Sequence, residues 1–72
     1  MNRVHLRQNG FGRWIVVSSA DVETAWSGSR FVKITEEGFP ATDVQVSNLD
    51  SREEAAAYAK TFGFEVVELR PN

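Results

Sequence analysis

Cysteine is absent from this 72-residue chain. No disulfide can staple the fold, and no thiolate is available to ligate a metal or attack a substrate. Histidine occurs once, as His5. That is too little for a protein-built zinc site, which draws on several nitrogen or sulfur ligands. Glu36, Glu37 and Asp43 are too few and too spread for a calcium-binding EF-hand loop. Long apolar runs are also missing: no stretch approaches the ~18 consecutive apolar residues that span a bilayer. Residues 1–7 lack the apolar core of a signal peptide. These absences lead us to expect a soluble, cytoplasmic protein with no cofactor and no membrane contact.

The chain is long enough for one domain, residues 1–72, and too short for two cores. At this length only about 60 to 65% of the unfolded surface is buried on folding, so stability must come from a compact apolar core. Two Trp, five Phe and one Tyr supply it. The net charge is −2, which argues against strong general attraction to nucleic acid. The charge is unevenly placed. Residues 1–35 hold Arg3, Arg7, Arg13, Arg30 and Lys33 against Asp21 and Glu23; most of the acids follow in residues 36–72. Either the halves intermix in the folded chain, or the polarity orients the domain on a charged partner.

The strongest local signal is a helix over about 51–62. Asp50 and Ser51 can each cap it, with Glu53 or Glu54 three residues on as the reciprocal acid. Ala55, Tyr58, Ala59 and Phe62 form one apolar stripe, and Gly63 suits the left-handed position that ends a helix. Val44-Gln45-Val46-Ser47 alternates as a half-buried strand does. After the helix, residues 64–69 read as a strand stopped by Pro71. Short linkers make those two strands parallel, with the helix as crossover.

At the other end, residues 3–8 and 14–17 read as a hairpin joined by Asn9-Gly10-Phe11-Gly12. Val4, Leu6 and Gln8 share one face of the first strand; Arg3, His5 and Arg7 share the other, which we expect to face solvent. Trp14-Ile15-Val16-Val17 is apolar on both sides, as a central strand is. We therefore expect Trp14 in the core beside Val16, Val46 and Phe62. Residues 30–35 form a further strand, residues 36–41 a loop, and residues 19–29 either a short helix or an irregular strand. The fold class is α+β: a mixed, mainly antiparallel sheet of four or five strands with one helix on one face, in the order β-β-(?)-β-β-α-β.

No constellation for catalysis stands out. His5 has serines to meet, but a triad needs a third, orienting group. Glu53 and Glu54 fit a helix N-terminus, and Glu36 and Glu37 fit a solvated turn. Gly10-Phe11-Gly12 lacks the third glycine and following helix of a dinucleotide site. Gly28-Ser29-Arg30 reads as an anion-binding turn or as an ordinary one. The chain is thus expected to be no enzyme. Basic and aromatic residues interleave in its first half, as on surfaces that stack single-stranded nucleic acid. Trp26 is either a lid on a small core or an exposed anchor for a partner, with Arg30 beside it.

Two resemblances bear on this expectation. Val44-Gln45-Val46, the run from Asp50-Ser51-Arg52-Glu53-Glu54-Ala55 to Tyr58-Ala59, and Gly63-Phe64-Glu65-Val66 resemble the C-terminal part of the iron–sulfur-protein accessory subunit of respiratory complex I. Ala25-Trp26-Ser27-Gly28 echoes its Gly-Trp-Ser/Thr-Ser element. Val4-His5-Leu6, Asn9-Gly10 and Trp14-Ile15-Val16, with the same helix–strand end, are similar to small uncharacterised bacterial domains. Both imply this fold, and neither implies catalytic residues. The function expected is a non-catalytic protein-binding module: an accessory subunit, adaptor or inhibitor. The alternative is a nucleic-acid-binding module acting through the basic N-terminal strands. The candidate binding residues are Trp26, Arg30, Arg3, Arg7 and Lys33.

Overall fold

The computed structural model describes residues 2–19 and 23–67. Strand β1 (Arg3–Gln8) and strand β2 (Trp14–Ser18) form the expected antiparallel hairpin, with Leu6 opposite Val16. The turn works through Asn9, whose Oδ1 accepts from the backbone N–H of Phe11 at 2.9 Å and of Arg13 at 3.1 Å. Gly12 takes φ +80° there, a region that L side chains enter only at a cost.

Part of the undetermined segment is strand β3 (Thr24–Trp26), which pairs with β2 and with strand β4 (Phe31–Lys33). Asp21 and Val22, which belong to the same segment, lie outside the described residues. Helix α1 (Arg52–Thr61) follows, then strand β5 (Glu65–Val66). The sheet order is β4-β3-β2-β1-β5, with β5 parallel to β1 and the other pairs antiparallel. Residues 68–71 of the expected closing strand and its stop lie outside the described residues.

The expected strand at 44–47 is not a strand. It joins no ladder of the sheet. The alternation instead records packing: Val46, with Val44 beside it, covers Ile15, Val17, Ala25, Val32 and Ile34. The segment then crosses the end of the sheet, where Ser47 donates to the Trp26 carbonyl at 3.1 Å and Leu49 bridges Trp14. The parallel partner of the last strand is therefore β1.

The helix is capped as its sequence asks. Ser51 is the N-cap, and its Oγ accepts from the Glu54 N–H at 3.1 Å. Asp50 does not share that task; its carboxylate pairs with Arg13. At the other end Phe64 N–H reaches the Ala59 carbonyl and Gly63 N–H the Lys60 carbonyl, with Gly63 at φ +80°. These two crossed bonds are the Schellman arrangement. Phe62 is consequently the C-cap residue, 42% exposed, and not the last member of a buried stripe.

The sheet has two covered faces. On one, Val4, Val16, Ala59 and Phe64 are buried together beneath α1. Ala55 and Ala59 are fully buried, since small side chains let the helix approach the strands closely. On the other face the 44–46 segment covers the Ile15 cluster. Two expectations change with this layout. His5 is 8% exposed rather than on a solvent face, and its Nδ1 lies 2.7 Å from the Val67 carbonyl just beyond β5. A carbonyl only accepts, so Nδ1 carries the proton. Trp14 is half-buried at the first position of β2. Val46 packs on the opposite face, and Phe62 lies against Trp26 instead. The basic and acidic halves of the chain do meet: Arg3 faces Glu65 at 3.6 Å, and Arg13 pairs with Asp50.

Candidate binding surface

Helix α1 packs on β1, β2 and β5. The β3–β4 end of that same sheet face is covered by aromatic rings. Trp26 and Phe31 are cross-strand partners, in a pair whose flanking residues make the ladder bonds, since Ser27 donates to Arg30 and Ile34 to Glu23. Side chains approach closely in such a pair, and the rings meet edge-on at 5.1 Å. Phe62 and Phe64 arrive from the helix C-cap, with ring centroids 5.2 and 4.9 Å from Trp26. Tyr58, one helical turn before Phe62, contacts it at 5.1 Å and shares a 2.6 Å hydrogen bond with the Ser47 hydroxyl. Only Phe64 among these is buried; Trp26, Phe31 and Tyr58 are half-buried and Phe62 is exposed. The Trp26 indole N–H is buried and finds no hydrogen-bond partner among the described residues.

Two expected binding residues flank this cluster. Arg30 is exposed on the β3–β4 turn, whose shape Ser27 fixes: its hydroxyl donates to the Arg30 carbonyl at 2.8 Å and accepts from the Arg30 N–H at 3.2 Å. With a longer bond from Ser29 N–H, these contacts give the Ser29 and Arg30 amides partners within the turn. Lys33 is exposed and shares the Phe31 side of β4 by strand alternation.

Arg3 and Arg7 do not join them. The register places both on the opposite face, Arg7 beside Ile15. Arg3 faces Glu65. Arg7 Nη2 donates to the Glu36 carbonyl at 2.8 Å, and with Glu23, Ile34, Thr35 and Glu36 it lines an open cleft of about 530 Å³. The five expected residues thus divide: Trp26 and Lys33 share the aromatic face, Arg3 and Arg7 lie on the other, and Arg30 sits on the turn at the edge, where the same alternation turns it to the Val32 side.

The aromatic members Phe31, Tyr58, Phe62 and Phe64 were not expected at a binding surface. The Tyr58–Phe62 spacing is visible in the sequence, but their meeting with Trp26 depends on how the sheet is ordered. Phe11, 82% exposed at the hairpin turn, leans on Phe39 at 4.9 Å over a cleft of about 190 Å³ that includes Asn9, Gly38 and Asn48. Arg13 beside it is tied to Asn48 and Asp50. Among the described residues no group of three or more His, Asp or Glu is placed to hold a metal ion. No described helix is long and apolar enough to cross a membrane. Comparison of the chain with protein-family models, curated proteins and solved structures found no match.

Proposed function

We propose that this protein is a small non-catalytic binding module whose partner is another protein, held on the aromatic face around Trp26, Phe31, Tyr58 and Phe62. The observation that supports this reading is incomplete coverage. One sheet face is sealed by a helix over three strands and left with half-buried rings over the other two. Tryptophan, tyrosine and arginine are the residues enriched among the energetic anchors of protein interfaces. Here Trp26 is seated among neighbours that fix its orientation, Phe62 projects, and Arg30 stands on a turn whose backbone is already bonded. An accessory subunit, an adaptor and an inhibitor would all use such a face.

The test is site-specific photo-crosslinking in the native cell. A photoreactive phenylalanine analogue replaces Phe62 in one variant and Phe11 in another. The expected result is a discrete protein adduct from position 62, insensitive to nuclease, and none of the same mass from position 11. An adduct that vanishes with nuclease would transfer the surface to the nucleic-acid alternative.

A further inference from the structure

The outer edge of β4 adds a second feature to the aromatic face. Ser27 donates to Arg30 and Ile34 donates to Glu23, so Arg30, Val32 and Ile34 turn their backbone groups toward β3. By alternation Phe31 and Lys33 turn theirs outward. The Lys33 carbonyl is taken by the Ala41 N–H at 2.9 Å. No bond from a described residue reaches the outward N–H and carbonyl of Phe31. The outward backbone groups of Phe31 therefore lie open beside the half-buried rings of Trp26 and Phe31, with exposed Arg30 and Lys33 on either side; past Lys33 the edge is already taken by the 39–41 segment, through the Ile34–Pro40 bridge.

Two cations, Arg30 and Lys33, flank this edge, and one acid, Asp43, follows Ala41 close by in the chain. The acids with a defined setting lie elsewhere. Glu65 faces Arg3 and Asp50 faces Arg13. Glu53 and Glu54 occupy the first turn of α1, and Glu23 and Glu36 line the Arg7 cleft on the opposite face. Arg30 and Lys33 have no carboxylate in ion-pair contact among the described residues.

We propose that the segment bound at this face is an extended acidic peptide with one apolar anchor. Its backbone adds to the edge at Phe31, its anchor enters beside Trp26 and Phe62, and its carboxylates meet Arg30 and Lys33. This rests on the reading of the aromatic face as a protein-binding surface. Strand addition supplies affinity through the main chain, and the pockets beside the strand supply selectivity. The two cations add steering and discrimination against basic segments.

The experiment is an amide NMR titration of the intact protein. The probe is a synthetic peptide of about ten residues with a central Phe flanked by about four Glu. Two controls replace every Glu by Lys, or the Phe by Ser. A third arm uses oligothymidylate. The expected result is that the Glu peptide moves the amides of residues 28–33 and 62–64 and leaves those of His5 and Val17 in place. Affinity should fall at least about tenfold with the Lys peptide, with Arg30→Glu plus Lys33→Glu, and on raising salt. The milder pair Arg30→Gln and Lys33→Gln gives the same direction if charge reversal disturbs the fold. Equal binding of the Glu and Lys peptides overturns the acidic assignment. So does silence at this face from every peptide; if the Phe62 crosslink still captures a protein, only the partner's chemistry is wrong. Tighter oligothymidylate binding at residues 28–33 overturns both the assignment and the protein-binding reading beneath it.

Discussion

The two ends of one sheet face are finished differently. Over β5, β1 and β2 the cover is a helix whose contact residues are alanines, and Val4 and Val16 beneath it are fully buried. Over β3 and β4 the cover is a set of rings meeting edge-on around Trp26, and most of them keep part of their surface in water. Small residues allow close approach and complete exclusion of water. Large aromatics tile a surface that the helix does not reach, and the Trp26 indole N–H is buried there with no partner among the described residues. The covered end should thus answer to mutation through stability, and the open end chiefly through binding.

The largest effect should come from Val16→Ala. It removes buried methyl groups under the helix where the alanines cannot move in to fill the space, and should cost about 2 to 3 kcal/mol in denaturant unfolding. A cost under about 0.5 kcal/mol would mean that the helix is less tightly seated than its alanines indicate. Next come the helix ends. Gly63→Ala should cost about 1 kcal/mol from backbone strain alone, because a side chain there meets nothing within 4 Å and the glycine has φ +80°. Ser51→Ala should cost about 1 kcal/mol. Asp50→Ala should cost under about 0.5 kcal/mol, since it breaks an exposed ion pair with Arg13. Equal costs at positions 50 and 51 would restore the idea of interchangeable caps.

A small effect on stability, under about 1 kcal/mol, is also expected at Phe62→Ser, whose ring is already 42% exposed. The same change should remove the position-62 adduct's partner from a pull-down. Its thermal melt, run beside that binding measurement, separates the two ends of the face. A large loss of stability with capture intact would make Phe62 part of the core and erase the distinction.

What could be read from the sequence was what depends on near neighbours in the chain. The helix was legible through Ser51, the alanines and Gly63, and the hairpin through Asn9 and Gly12. The strand expected at 44–47 shows where that reading stops. A period of two says that a segment is extended with one side buried; it does not say whether another strand lies beside it. Val44 and Val46 bury one side without any ladder. His5 was misplaced for a related reason. Its arginine neighbours suggested solvent, but its face is closed by the Ile15 cluster and by the chain leaving β5. The candidate site was half legible. Trp26, Arg30 and Lys33 are close in sequence and share a hairpin, whereas Phe62 and Phe64 join them only through the order of the strands.

The pairing of β1 with β5 has a consequence for how the chain is made. Glu65 N–H donates to the Asn2 carbonyl at 2.9 Å and Val67 N–H to the Val4 carbonyl at 2.8 Å. During synthesis the four-strand meander can assemble as it emerges, but the outer edge of β1 has to wait for nearly the whole described chain to leave the ribosome. Contacts this distant in sequence close late, and a bare edge invites pairing with other nascent chains. A ribosome stalled before residue 64 would thus hold a meander whose first strand is open to any neighbour, and release of the last strand is the step that closes that edge.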